Sequence, residues 1–149
     1  MNESFWNFSQ KVSLRLLLWA LLSMVSGALL GRTSEKGTHG RGLAAQFIGW
    51  GFIDALIALF GLVNTRRNRA LPAEQQPLKQ KTERRNLRRA LWINTGLDVF
   101  YVLGGVLLIQ RKGRENPEMR GHGLGIVIQG GFLFFFDLWH ALKLTGDRA

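Results

Sequence analysis

The chain has 149 residues, 46% of them hydrophobic, and a formal net charge of +10; its length suits a single domain. The absence of cysteine excludes disulfides, thiolate zinc sites, iron–sulfur clusters and a cysteine nucleophile. The mean hydropathy is close to zero, but the apolar residues are concentrated in four blocks, and the 20 Lys and Arg residues lie almost wholly between them. This segregation accounts for the positive charge, and we expect no nucleic-acid partner.

Each apolar block approaches the roughly 20 residues that an α-helix needs to cross the hydrocarbon of a bilayer. Arg or Lys flanks every block. The sequence therefore predicts an all-α membrane protein in contact with the lipid bilayer, built as one four-helix transmembrane domain over residues 1–149. The predicted helices are Leu16–Leu30, Leu43–Val63, Leu91–Ile109 and Gly123–Leu142.

Glycines are frequent inside the last three blocks. They would be costly in soluble helices, but they are common where transmembrane helices approach each other closely. We therefore expect helix–helix contacts at Gly49, Gly51, Gly96, Gly104, Gly105, Gly130 and Gly131.

The first block allows a second interpretation. Lys11 and Arg15 precede a short Leu-rich run that ends in small residues, a pattern that also fits a cleavable signal peptide over residues 1–28. Removal of this segment would leave one predicted hairpin without its first helix, so retention is favoured.

The basic residues are divided unequally between the two sides of the predicted bundle. The side with the N-terminus, the connection 64–90 and the C-terminus carries 13 of the 20 Lys and Arg residues. Because basic residues accumulate on the cytoplasmic side of membrane proteins, we expect a multi-pass protein of the cell membrane with both termini in the cytoplasm.

The connection 64–90 alone holds nine basic residues. From Pro77 onward its composition favours a helix, with Lys79 and Glu83 spaced as an i,i+4 pair, so the third helix is predicted to extend into the cytoplasm as a continuous rod. The basic residues are explained by topology and attraction to anionic headgroups. A docking arm for nucleic acid or an acidic protein is the less favoured alternative, because the segment lacks interleaved aromatic residues.

An internal repeat occurs at an offset of 83 residues, with 8 identities in the 21 positions from 39 to 59. We interpret it as a duplicated helical hairpin, residues 14–63 and 91–142, whose copies are parallel repeats related by an axis along the membrane normal. The repeated pattern is His39-Gly40-x-Gly42-x3-Gln46-x7-Asp54 and His122-Gly123-x-Gly125-x3-Gln129-x7-Asp137.

Three carboxyl residues lie inside the predicted helices, where an unpaired charge is costly. Other polar residues share helix faces with them at spacings of three, four or seven, and lipid offers these residues no hydrogen-bond partner. We therefore predict a polar seam inside the bundle, formed by Asp54, Asp98, Asp137, Gln46, Gln129, Asn94, Tyr101 and His140.

Two functions of different classes remain open for this seam. In one, the chain handles a proton, a cation or a small ligand through a pathway or pocket at the three carboxyls. In the other, the polar residues only order the bundle, with the carboxyls paired to neighbouring amides or to Arg15 or Arg89, and the chain is an accessory or assembly subunit of a larger membrane complex. In either case a homo-oligomer or a membrane complex is expected, because one small bundle has little room for a pathway and its walls.

A third, weaker alternative is a haem- or pigment-binding subunit. His39 and His122 are equivalent in the repeat and are expected at the outer ends of helices 2 and 4, each at a helix start, where they could together bind a metal or haem. A structural interfacial role is the commoner outcome for such histidines. The sequence lacks a Ser/His/Asp spacing, an HExxH motif and a nucleotide-binding loop, so an enzyme is less favoured.

The second half of the chain resembles a family of small prokaryotic four-helix integral membrane proteins of unknown function. The resemblance implies a membrane location and a four-helix topology, with no assigned activity, and it covers the first helix hardly at all. The motifs that carry it are Asn94-Thr95-Gly96-Leu97-Asp98-Val99-x-Tyr101, Gly121-His122-Gly123-x-Gly125-x3-Gln129-Gly130 and Phe136-Asp137-x2-His140.

Overall fold

Residues 4–146 form four long α-helices and no strand in the computed structural model. Each helix is long and apolar enough to cross a membrane, which agrees with the predicted all-α membrane protein. The helices are α1 (Phe5–Thr33), α2 (His39–Arg69), α3 (Gln76–Arg111) and α4 (Pro117–Gly146).

The helices extend beyond the apolar blocks, and only residues 70–75 separate α2 from α3. Gln76 explains this short connection. Its side-chain nitrogen lies within hydrogen-bond distance of the carbonyl oxygens of Asn68, Arg69 and Leu71, and it thereby satisfies backbone acceptors at and just after the end of α2. Its Oε1 accepts a hydrogen bond of 2.9 Å from the indole nitrogen of Trp6.

The N-terminal part of α3 is helical from Gln76, as predicted, and Lys79 and Glu83 form an ion pair at 3.1 Å. This extension of the third helix does not stand apart from the other helices. Leu87 and Leu91 pack against Phe5 and Trp6 at the start of α1, because this part of α3 presents apolar residues at helical spacing to the other helices.

The helices pair as two hairpins, α1 with α2 and α3 with α4, as the repeat predicted. Glycines bring the paired backbones together. A Cβ atom added at Gly51 would lie 2.8 Å from the carbonyl oxygen of Ala20, and one added at Gly105 would lie 2.8 Å from the carbonyl oxygen of Gly123. The pairing agrees with a duplicated hairpin, while the common origin of the two copies stays a prediction.

The hairpins meet along α2 and α4, which run in the same direction. Near their first turns, a Cβ added at Gly121 would collide with the His39 carbonyl oxygen, and one at Gly42 with that of Glu118. The expectation that every glycine of the blocks mediates packing was only partly right. Nothing lies within 4 Å of a Cβ built at four of them, because they face outward: Gly49, Gly96, Gly104 and Gly131.

The start of α1, the end of α2, the start of α3 and the end of α4 lie at one end of the bundle, which we call the basic end. The Trp6–Gln76 bond joins α1 to α3 there. Arg84 of α3 also donates a bond to the carbonyl oxygen of Leu144 in α4. The start of α1, the end of α4 and the α2–α3 connection therefore share one side, as an even number of crossings requires.

Candidate functional site

The three carboxyl residues of the apolar blocks come together in the interior of the bundle. Asp54 of α2, Asp98 of α3 and Asp137 of α4 are 2%, 3% and 6% exposed. Each is close enough to the other two for a repulsive electrostatic interaction. We call these three residues the acid cluster.

The acid cluster is incompletely satisfied by the protein. Oδ2 of Asp54 and Oδ2 of Asp98 are buried without a hydrogen-bond partner. The side chain of Asn94 lies close enough to interact with the Asp137 carboxyl. Buried polar atoms are normally paired, so two unpartnered carboxyl oxygens side by side indicate either a bound proton or a site for a ligand.

A cavity of about 310 Å³ leads from the basic end toward the acid cluster. It occupies the half of the bundle where α2 and α3 make few contacts, and Asp137 is the residue of the cluster that lines it. We call this space the inner cavity. Asp98 lies one helical turn beyond the lining residue Asn94, and Asp54 lies nearly one turn beyond Ile57. The polar lining residues are Ser9, Ser13, Asn64, Thr65, Glu83, Asn86, Asn94 and Asp137.

Sequence reasoning missed most of these polar lining residues. Glu83 and Asn64 lie in the segment interpreted as a connection, and they are joined there by a hydrogen bond of 3.1 Å. The sequence nevertheless contains a signal for this face. Polar residues are spaced along α3 by three, eight and four positions, at Glu83, Asn86, Asn94 and Asp98. That spacing places them near one face of a helix, and the face becomes recognisable once the helix is known to begin at Gln76.

Gln129, which was assigned to the seam, faces α1 and not the acid cluster. It is completely buried, and its Oε1 accepts a bond of 2.8 Å from the indole nitrogen of Trp19. Its side-chain nitrogen donates to Oγ of Ser23 at 3.1 Å. Phe132 stacks on Trp19 at 3.7 Å between ring centroids, so this part of the seam joins the two hairpins.

His140 also faces α1, where it is completely buried. Its Nε2 lies 3.2 Å from the guanidinium of Arg15 and its Nδ1 lies 2.7 Å from the carbonyl oxygen of Phe136. Because arginine can only donate, Nε2 accepts and Nδ1 carries the proton. Arg15 also lies over the ring of Trp139, 4.9 Å from its centroid. The alternative in which Arg15 pairs with a buried carboxylate is therefore not what the structure contains.

Gln46 and His122 form a small polar group near the start of α2 and α4. Gln46 Oε1 accepts a bond of 3.1 Å from Trp50, which leaves its amide nitrogen to donate to Nδ1 of His122 at 3.0 Å. The proton of a neutral His122 then sits on Nε2, and neither ring nitrogen offers a free lone pair to a metal.

The expectation that His39 and His122 both lie at helix starts holds only for His39, the first residue of α2. α4 begins earlier, at Pro117, because Oδ1 of Asn116 accepts a bond from the backbone nitrogen of Met119 and proline suits the first helical position. Within residues 4–146, no group of three or more His, Asp or Glu side chains is arranged to hold a metal ion.

The predicted inward face of α3 is shared by fewer residues than expected. Asp98 is buried, but Asn94 is exposed at the wall of the inner cavity and Tyr101 is 42% exposed. The rings of Tyr101 and Trp50 form a T-shaped pair with 5.1 Å between their centroids. Thr95 takes the interior position instead, with its hydroxyl bonded to the carbonyl oxygen of Leu91.

A model of a protein family of unknown function, DUF6992, matches residues 15–138. The chain belongs to this family. No curated protein and no solved structure matches it. The region matched by the DUF6992 model contains the whole acid cluster and excludes His140 and, apart from Leu16, the α1 residues that line the inner cavity.

Proposed function

We propose that this DUF6992 protein handles a proton, a small cation or a small cationic ligand at the acid cluster, and that the inner cavity connects the cluster to the basic end. The single observation that carries the proposal is the juxtaposition of three buried carboxyls, two with unpartnered oxygens, beside a cavity whose mixed apolar and polar wall includes Asp137.

The chemistry of the cluster favours a positively charged occupant. Three buried carboxyls that are close enough to repel one another are costly to ionise together, and a bound proton or cation removes part of that cost. The cavity wall supplies hydroxyl and amide groups and two carboxyls, of Glu83 and Asp137. These oxygen-rich groups can solvate a cation or an ordered chain of water molecules.

The distribution of basic residues supports a location in the cell membrane with the basic end in the cytoplasm. The inner cavity then opens to the cytoplasmic side, and the acid cluster exchanges protons or cations with that compartment.

A second function, assembly with another chain, is favoured by one observation on α3. Gly96 and Gly104 face open space on the outside of the bundle, and the large apolar Phe100 between them is 72% exposed. Such a surface fits a second membrane helix, either from another copy of this chain or from a larger complex.

The experiment is a flux assay in liposomes with the purified protein. Asp98→Asn and the double change Asp54→Asn with Asp137→Asn keep the shape of the side chains but remove the charge. We expect wild-type liposomes to dissipate an imposed proton or alkali-cation gradient and the two variants to lose that flux.

Glu115→Gln provides the matched control. Glu115 is exposed in the α3–α4 connection, and the substitution also replaces a carboxylate by an amide, but far from the acid cluster. It should retain wild-type flux. Retained flux in folded Asp98→Asn and Asp54→Asn/Asp137→Asn protein would rule the transport role out. Absence of flux from wild type across a panel of cations would favour assembly.

A further inference from the structure

A second depression at the basic end lies on the outer side of the first hairpin. It is a groove of about 210 Å³ between α1 and α2, separate from the inner cavity except for the shared wall residue Thr65. The residues that line it are Gln10, Leu62, Thr65, Arg66 and Arg69. We call it the arginine groove.

We propose that the arginine groove binds the headgroup phosphate of an anionic phospholipid. Arg66 and Arg69 are three residues apart, so their guanidinium groups project from one face of α2. Both are exposed and able to reach a ligand. One nitrogen of Arg69 donates to Oδ1 of Asn7 in α1 at 2.8 Å, which holds that side chain across the groove and leaves its other N–H groups available.

None of the described residues that line the groove carries a carboxylate, so none of them repels a phosphate. The amide of Gln10 adds a further donor beside the two arginines. Arginine binds phosphate oxygens through parallel N–H donors, and two such forks beside an amide match the donors that a phosphodiester requires.

The position of the groove favours a lipid over a free anion. Deeper in the membrane, Leu14 lies one helical turn from Gln10 on α1, and Leu62 and Leu59 lie one and two turns from Arg66 on α2. Leu14 and Leu59 are both exposed. The cationic groove therefore sits at the end of a continuous apolar surface, which suits a molecule with a phosphate at one end and acyl chains at the other.

The test uses the full-length protein in an uncharged detergent at high ionic strength, where long-range attraction between charges is screened. Phosphatidylglycerol or phosphatidylcholine is titrated into the micelles, and the thermal unfolding midpoint is followed. We expect phosphatidylglycerol alone to stabilise the wild type. Arg66→Gln combined with Arg69→Gln should weaken the apparent affinity at least about tenfold.

Arg67→Gln is the matched control, because Arg67 is exposed on the same turn but does not line the groove. It should respond to phosphatidylglycerol as the wild type does. Arg66→Gln alone, which removes no contact to Asn7, should show a partial loss and so separates lipid binding from a folding defect in the double variant.

Three results would overturn the proposal. The first is an equal response to the two lipids in wild type. The second is the same loss of affinity in Arg67→Gln as in Arg66→Gln. The third is full stabilisation by inorganic phosphate or glycerol phosphate, which would mean that the groove recognises a free anion and not a lipid.

Discussion

The indole nitrogen of Trp19 donates a hydrogen bond of 2.8 Å to Oε1 of Gln129, across the interface between α1 and α4. The Gln129 amide continues the contact to Ser23, so a fully buried polar side chain of the last helix is satisfied entirely by the first. Direct backbone approach between these two helices is slight. Side-chain hydrogen bonds and the stacked ring of Phe132 therefore join α1 to α4, in addition to the closer backbone contact between α2 and α4.

Gln129→Leu should destabilise the bundle by about 1–2 kcal/mol. The change leaves the N–H of Trp19 and the hydroxyl of Ser23 without their partners, and each buried unsatisfied group carries a penalty. Thermal unfolding in detergent, followed by circular dichroism, measures the effect. Gln110→Leu is the control, because Gln110 is exposed at the end of α3. Equal unfolding midpoints for the two variants would contradict the assigned role of Gln129.

Substitution by alanine should have different effects on stability at the two adjacent glycines of α3, Gly104 and Gly105. A Cβ at Gly105 would lie 2.8 Å from the carbonyl oxygen of Gly123 and from a methyl group of Val127, while a Cβ at Gly104 meets nothing within 4 Å. We expect Gly105→Ala to cost about 1–3 kcal/mol through separation of α3 and α4. Gly104→Ala should be neutral or slightly stabilising, because alanine favours the helix. The same unfolding assay tests both, and a loss confined to Gly104→Ala would refute the packing described.

The absence of native cysteine allows the inner cavity to be probed with single cysteines. Asn94→Cys places a thiol in the cavity wall, and Ile93→Cys places one at the same depth on the exposed apolar face of α3. We expect a small hydrophilic thiol reagent, added in vesicles from the side of the basic end, to modify Asn94→Cys much faster than Ile93→Cys. Similar rates at the two positions would indicate that water does not enter the cavity.

The orientation of the chain is testable in intact cells with a membrane-impermeant maleimide. Lys36→Cys lies in the short connection between α1 and α2, and Gln80→Cys lies near the start of α3 at the opposite end of the bundle. Since the basic end is proposed to be cytoplasmic, Lys36→Cys should be labelled from outside and Gln80→Cys only after the cells are broken. The reverse pattern would place both termini outside.

The pairing of the helices into hairpins and the burial of the acid cluster were predictable from the apolar blocks, the carboxyl residues within them and the internal repeat. Length and apolarity predict the four spans, and a carboxyl in hydrocarbon has few options other than the bundle interior. The repeat added the pairing of helices, but it also suggested equivalent roles for Gln46 and Gln129. These two residues occupy unlike surroundings, one bonded to His122 and the other to α1.

The sequence by itself determined that this protein is a bundle of membrane-spanning helices with carboxyls in its interior, because the bilayer imposes length, apolarity and polar burial on each helix separately. The spatial arrangement of the polar residues follows from the packing of the four helices. The inner cavity arises where α2 and α3 make few contacts. Gln129 and His140 are hydrogen-bonded by Trp19 and Arg15 of α1, more than 100 residues away in sequence. Such contacts depend on how four helices rotate against one another, and helical spacing within a single segment carries no information about that rotation.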